Sequence, residues 1–156
     1  MNVYQRTMRR LSTTGWFRWI LSKVLTPLDM RLKGTRFAPS AMGVDFPLCY
    51  LTVIGRRSGE PRTVPLLFIE TAVGYAVVGT NFGRKHHPGW VYNLETASTA
   101  TLEIDGIGQA VVVERMSPND AKAVWDEIDG VWPGYETYRD MTDRDIRVFL
   151  LTPSNS

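Results

Sequence analysis

A chain of 156 residues, 44% hydrophobic and 22% charged, has the make-up of a single globular unit with room for a buried core. Its one cysteine, Cys49, excludes an intramolecular disulfide, and no apolar run approaches the ~18–20 residues needed to span a bilayer. The net charge of +2 hides an asymmetry: residues 1–65 hold eleven Lys and Arg against Asp29, Asp45 and Glu60, and the remainder is acidic, so the first half suits an anion or an acidic membrane surface, while no nucleic-acid-binding motif is present.

In chain order, residues 14–28 read as an amphipathic helix. Phe17, Ile20, Leu21, Val24, Leu25 and Leu28 recur at helical spacing, with Trp16 and Trp19 beside them and Arg18, Ser22 and Lys23 opposite. The helix either packs on the core or lies on a membrane surface, where Trp flanked by Arg and Lys suits the headgroup layer. Residues 29–47, with Gly34, Pro39, Gly43 and Pro47, form a loop. The expected organisation is therefore an N-terminal helix and loop over 1–47 and a folded unit over 48–156.

That unit reads as mainly β. Strand patterns cover 48–54, 62–70 and 75–79, then 99–105 and 108–115 joined through Asp105-Gly106, and finally 146–152. A polar loop, 80–89, precedes a short helix from Trp90 to Ala97. Ser117-Pro118-Asn119-Asp120 opens a second helix, whose buried stripe is Ala121, Val124, Trp125 and Ile128 and which stops near Gly130. Cys49, inside the first strand, reads as a buried thiol. Six strands with few helices predict a closed or partly closed antiparallel barrel.

Between the first two strands runs Gly55-Arg56-Arg57-Ser58-Gly59-Glu60-Pro61-Arg62. Three guanidinium groups in seven residues match phosphate or carboxylate oxygens in pairs, and Gly59 lets the backbone approach a partner closely. The turn reads as a clamp for a polyanion or as a solvated basic turn. The usual enzyme motifs are absent: no G-x-S-x-G, P-loop, G-x-G-x-x-G or zinc spacing. The adjacent His86 and His87 point apart on an extended chain, so no metal is expected. Trp132, Tyr135 and Tyr138 cluster in one aromatic segment, which serves packing or presents hydroxyls to a planar substrate. A barrel with an anion clamp and no nucleophile triad fits chemistry borrowed from a cofactor.

The residues carry a resemblance. Gly55–Arg62 with Pro65-Leu66, then His87-Pro88-Gly89-Trp90-Val91-Tyr92-Asn93-Leu94, then Trp132-Pro133-Gly134-Tyr135-Glu136-Thr137-Tyr138 with Thr142-Asp143-Arg144, follow in order the motifs of one family. The sequence resembles the deazaflavin-dependent nitroreductases, small split β-barrel proteins of actinobacteria, over roughly residues 48–153. The resemblance implies a six-stranded antiparallel split barrel that uses coenzyme F420, an 8-hydroxy-5-deazaflavin with a phosphate and an oligoglutamate tail. It implies that Arg56, Arg57, Ser58, Gly59 and Arg62 hold the phosphate and tail. Pro65, Leu66 and Trp90 would shape the ring pocket, Thr80 would lie beside the ring, the loop through Lys85 would close over the cofactor, and Thr63, Val64, Asn81, His86, Pro88 and Asn93 would also bind it. Hydride transfer from reduced F420 would go to a quinone, a nitroaromatic or another conjugated acceptor. Tyr135 would supply a proton, with Tyr138, Trp132 and Thr80 beside the reacting groups.

The sequence departs from the family pattern where Trp132 replaces a tyrosine, Arg57 a common Lys and His87 a frequent Asn. Alternatives are an FMN enzyme on the same fold and a non-catalytic barrel that binds a cofactor or lipid. A cytoplasmic monomer or homodimer is expected, with residues 14–28 a candidate for peripheral membrane contact.

Overall fold

The computed structural model describes residues 47–131 and 134–154. The helix expected over 14–28, the loop expected over 29–47 apart from Pro47, and Trp132 lie outside the described residues, and so does the N-terminal unit expected over 1–47 apart from that same residue. Six strands, β1 (Leu48–Ile54), β2 (Pro61–Thr71), β3 (Gly74–Val78), β4 (Thr99–Ile104), β5 (Ile107–Arg115) and β6 (Val148–Pro153), close into an antiparallel barrel in the order β1-β2-β3-β6-β5-β4. This is the expected six-stranded barrel. Helices α1 (Gly89–Leu94), α2 (Ala121–Val131) and α3 (Gly134–Asp140) pack around it.

Strand alternation builds two cores, one on each side of the sheet wall. Cys49, Leu51 and Val53 face Leu66, Val64 and Arg62 across β1 and β2. Inside the barrel Cys49, Leu51, Val53, Phe68, Val77, Leu102, Val111, Phe149 and Leu151 form one cluster, and Trp90, Val91 and Leu94 of α1 join it. Helix α1 thus stoppers one barrel end. The second cluster lies outside: Ile69, Ala76, Val78 and Val148, from the outer face of β2, β3 and β6, pack with Ala121, Val124 and Ile128 of α2 and Tyr135 and Tyr138 of α3. The expected stripe of α2 is the face that buries, with Trp125 partly covered.

Local chemistry explains the joints. Asp105 and Gly106 both take positive φ, 51° and 80°, as the Asp-Gly hairpin signal requires. Ser117 accepts the Asp120 N–H at its Oγ (3.2 Å) and donates to the Asp120 carboxylate (2.6 Å). Those bonds organise a turn over 118–120 ahead of the helix, so α2 begins at Ala121, later than expected. Helix α1 begins one residue before the expected Trp90 and ends at Leu94, short of Ala97, because the Thr96 and Ala97 N–H groups bond to carbonyls only three residues back.

Among the described residues no helix is long and apolar enough to cross a membrane, and no three or more His, Cys, Asp or Glu side chains gather as metal ligands.

Candidate functional site

Most of the residues singled out in the sequence meet at the barrel end that α1 closes. There the β1–β2 turn, the chain leaving β3 and the chain entering β6 converge. The turn is internally braced: the Gly55 N–H donates to the Glu60 carbonyl and the Gly59 N–H to the Gly55 carbonyl, each at 2.8 Å. Gly59 has φ 70°, and a Cβ there would meet nothing within 4 Å, so its backbone is open to a partner. Two contacts then fasten the turn to α1. The Arg56 N–H donates to Asn93 Oδ1 (3.1 Å), and the Arg56 guanidinium lies 5.0 Å over the Tyr92 ring. Arg57, Ser58 and Arg62 are exposed. Among the described residues, Arg57 and Arg62 have no ion-pair partner. The arrangement concentrates positive charge on a fixed backbone, which suits an anion with several oxygens.

Along β2 the alternation divides the predicted cofactor-binding residues. Val64 and Leu66 turn inward against the barrel core, and Thr63 and Pro65 outward. Thr63 Oγ1 shares a 2.8 Å hydrogen bond with Thr52 Oγ1 on β1. Trp90 is buried and meets Phe149 edge-on, its ring 6.2 Å away. It is part of the stopper.

The loop after β3 is the most constrained segment of this end. Asn81, Phe82 and Gly83 are consecutive left-handed residues, with φ of 47°, 54° and 71°. For Phe82 that costs about 1–2 kcal/mol, while asparagine tolerates the region better. A Cβ on Gly83 would also come within 2.9 Å of Met141 Cβ, so this glycine serves both the turn and the approach of the loop to the end of α3. Side chains hold the loop in this shape. Asn81 Nδ2 donates to the His86 carbonyl (2.7 Å), and Thr80 is buried. Arg144 reaches in from the chain between α3 and β6 and donates to the carbonyls of Gly79 (3.0 Å), Thr80 and Arg84 (3.0 Å). Its Nη1 lies 3.0 Å from His87 Nδ1. Lys85 and His86 stay exposed, and Pro88 leads into α1 with extended backbone.

Charge is dense around Tyr92. Arg147 lies 5.9 Å from the ring on the β6 side and pairs with Glu95 at 2.5 Å, and His87 meets the ring edge-on at 5.6 Å. Arg115 joins Glu95 (3.6 Å) and Asp145 (2.8 Å). Desolvation holds the His87 imidazole below its ordinary value of 6.5, and the neighbouring Arg147 and Arg144 push it the same way. Neutral His87 can then accept the Arg144 N–H at Nδ1.

The tyrosines sit elsewhere. Tyr135 and Tyr138 share one face of α3, their rings 6.1 Å apart, in the outer core. Tyr135 is 7% exposed, and burial raises its phenol well above the ordinary range. Tyr138 meets Phe82 at 5.8 Å, which links the aromatic segment to the left-handed loop. Inside the barrel, burial pushes the Cys49 thiol up to about 12, so no thiolate is available. The structure thus gathers Arg56, Arg57, Ser58, Gly59, Arg62, Asn93, Trp90, Pro88 and Thr80 at one barrel end. It places Tyr135 and Tyr138 behind the loop. Sequence reasoning gave no role to Tyr92, Arg147 or Arg144; Arg144 stood inside the quoted Thr-Asp-Arg motif, which was its only signal.

The sequence profile of the F420H(2)-dependent quinone reductase family matches residues 26–153, starting upstream of the resemblance noted from residue 48. Rv3178 of Mycobacterium tuberculosis (strain ATCC 25618 / H37Rv), by its name a candidate F420H(2)-dependent quinone reductase, is 24% identical over 107 residues, which span 69% of this chain and 90% of that protein. A solved structure described as a domain-swapped dimer superposes with a TM-score of 0.64 at 25% identity, over 85% of this chain and 96% of its own. The F420-H2 dependent reductase FDR-A gives a TM-score of 0.62 at 27% identity, over 67% of this chain and 93% of its own. HutZ, the heme storage protein of Vibrio cholerae, is 14% identical with a TM-score of 0.53, over 72% and 84% of the two chains, and shares the fold alone.

Proposed function

The chain belongs to the F420H(2)-dependent quinone reductase family, and from that premise we propose that it passes a hydride from reduced F420 to a quinone. The observation that carries the cofactor assignment is the β1–β2 turn. A phosphate with a polycarboxylate tail needs several guanidinium forks held apart on a rigid backbone, and Arg56, Arg57 and Arg62 meet that need. The residues present therefore fit the group. Asn93 and Tyr92 hold Arg56, and no carboxylate competes for Arg57 or Arg62 among the described residues.

When bound, reduced F420 supplies the hydride and is itself oxidised. The chain's own part is binding and alignment. Arg56, Arg57, Ser58, Gly59 and Arg62 grip the anionic end. Thr63 and Pro65 on the outer side of β2, backed from inside by Val64 and Leu66, wall the ring together with Asn93 and the Trp90 stopper. Thr80, Asn81, Lys85, His86 and Pro88 cover it from the left-handed loop. The resemblance assigns Tyr135, Tyr138 and Trp132 to the acceptor side; Tyr135 and Tyr138 lie buried behind the loop, and Trp132 lies outside the described residues. Burial keeps the Tyr135 phenol protonated and also makes it a weaker acid than a free tyrosine, so its role as proton donor rests on the resemblance. Nitroaromatic and other conjugated acceptors are further candidates on the same geometry. We also propose that the protein works in the cytoplasm as a homodimer, the likeness to a domain-swapped dimer favouring two copies over one. A quinone with a long apolar tail would give peripheral membrane contact through residues 14–28 a purpose. Sedimentation with liposomes of a chain shortened to begin at Met30 tests that contact.

The cofactor assignment is tested by equilibrium titration with F420 and, side by side, with FMN at several salt concentrations. F420 bound more tightly than FMN, and progressively less tightly as salt rises, is the expected result. Preference for FMN would move the protein to flavin chemistry, and binding of neither would overturn the assignment.

A further inference from the structure

Arg144 is the best-connected side chain at the α1 end, and nothing in the proposed function uses it. Its Nε donates to the Arg84 carbonyl, its Nη2 to the carbonyls of Gly79 and Thr80, and its Nη1 meets His87 Nδ1. Because a guanidinium only donates, His87 Nδ1 must be the acceptor, with the ring proton on Nε2. One planar fork thus binds four acceptors spread over residues 79–87. Three of them are backbone carbonyls that bracket the left-handed run Asn81-Phe82-Gly83. The fourth, His87, precedes Pro88 and helix α1. A compact ammonium cannot reach four acceptors that lie in different directions, so lysine cannot replace this arginine.

We infer that Arg144 is a positioning residue for the cofactor site: it fixes the loop from Gly79 to His87 in the shape that presents Thr80, Asn81 and Pro88. This inference rests on the F420 reading for its consequence but not for its geometry. Arg144 acts through the loop, and the anion-gripping turn is left untouched. Its loss is therefore expected to weaken cofactor binding without changing how that binding depends on salt.

The experiment uses Arg144→Lys, which keeps the charge and breaks the fork, and His87→Ala, which removes one acceptor of the four. In the cofactor-free protein, hydrogen exchange is read at the amides of Gly79, Gly83 and Arg84, each hydrogen-bonded within or beside the loop. Arg144→Lys is expected to speed their exchange at least tenfold while the β1 and β4 amides stay as in the parent protein, and His87→Ala to give a smaller change of the same kind. The F420 dissociation constant is expected to rise at least tenfold in Arg144→Lys, with an unchanged salt dependence. If Arg144→Lys does not fold, His87→Ala carries both readings. Unchanged exchange in the loop overturns the positioning role. Faster exchange with an unchanged F420 dissociation constant overturns its link to the cofactor and leaves the F420 reading standing. A parent protein that binds no F420 removes that reading and the cofactor link together, and the exchange data still show whether the fork holds the loop.

Discussion

Replacing Arg57 and Arg62 with alanine, singly and together, separates binding from folding at the anion site. Both side chains are exposed and, among the described residues, pair with no carboxylate, so their removal should change folding stability by no more than about 0.5 kcal/mol. Binding is another matter. A hydrogen bond to a charged group contributes about 1.5–3 kcal/mol, and solvent around these residues favours the lower end. At about 1.5 kcal/mol each single variant should bind F420 roughly tenfold less tightly, and the double variant roughly a hundredfold if the two act independently. Arg56→Ala should behave differently, because its guanidinium also lies over the Tyr92 ring. Loss of that contact costs about 0.5–1 kcal/mol, so the melting temperature should fall by about 1–4 °C alongside the affinity. Fluorescence titration of F420 and thermal melts followed by circular dichroism read the two effects. A double variant that binds F420 as tightly as the parent would refute the clamp, whatever its stability.

Three further outcomes follow from the same geometry. Tyr135→Phe should lower kcat by tenfold or more, in keeping with loss of a general acid, with F420 affinity and melting temperature little changed; an unaltered kcat would assign Tyr135 to packing alone. Phe149→Ala empties a fully buried site beside Trp90 and should cost about 3–5 kcal/mol in urea unfolding, and a loss under about 1 kcal/mol would contradict the stoppered-barrel core. His87 is held neutral by desolvation and by Arg147 and Arg144, against Glu95 and Asp145, so its folded pKa lies below 6.5. Its contribution to stability is therefore present above that value and is lost as pH falls from 6.5 through the lower folded pKa, because the unfolded chain takes up the proton first. Melting temperatures of the parent should drop over that window more steeply than those of His87→Asn, which keeps an acceptor for Arg144 and cannot be protonated; parallel profiles would remove His87 from the account.

The fold was legible because its determinants are local. Alternation in Cys49-Leu51-Val53 and the Asp105-Gly106 turn each specify a strand or a hairpin within a few residues, and the observed β1 and β4 begin at the expected Leu48 and Thr99. The anion turn was legible for the same reason, since its three arginines fall within one connection. Contacts made across the chain were not. Arg144 lies 64 residues from Thr80 and 57 from His87, and nothing in Thr142-Asp143-Arg144 announces which carbonyls it will meet. Tyr92, with the Arg56 and Arg147 guanidinium groups 5.0 and 5.9 Å from its ring, is likewise a product of tertiary contact, which brings the β1–β2 turn and the chain entering β6 to one side chain of α1. The left-handed Phe82 runs against local preference altogether, and only the surrounding contacts hold it there.

The measurement that tests the central claim most directly is anaerobic turnover: oxidation of reduced F420 followed by its absorbance, with a soluble menaquinone analogue as acceptor. The account predicts oxidation that scales with protein concentration, saturates with both substrates and falls sharply in the Arg57→Ala, Arg62→Ala double variant. Oxidation no faster than in the protein-free control, under conditions where F420 is bound, would contradict it.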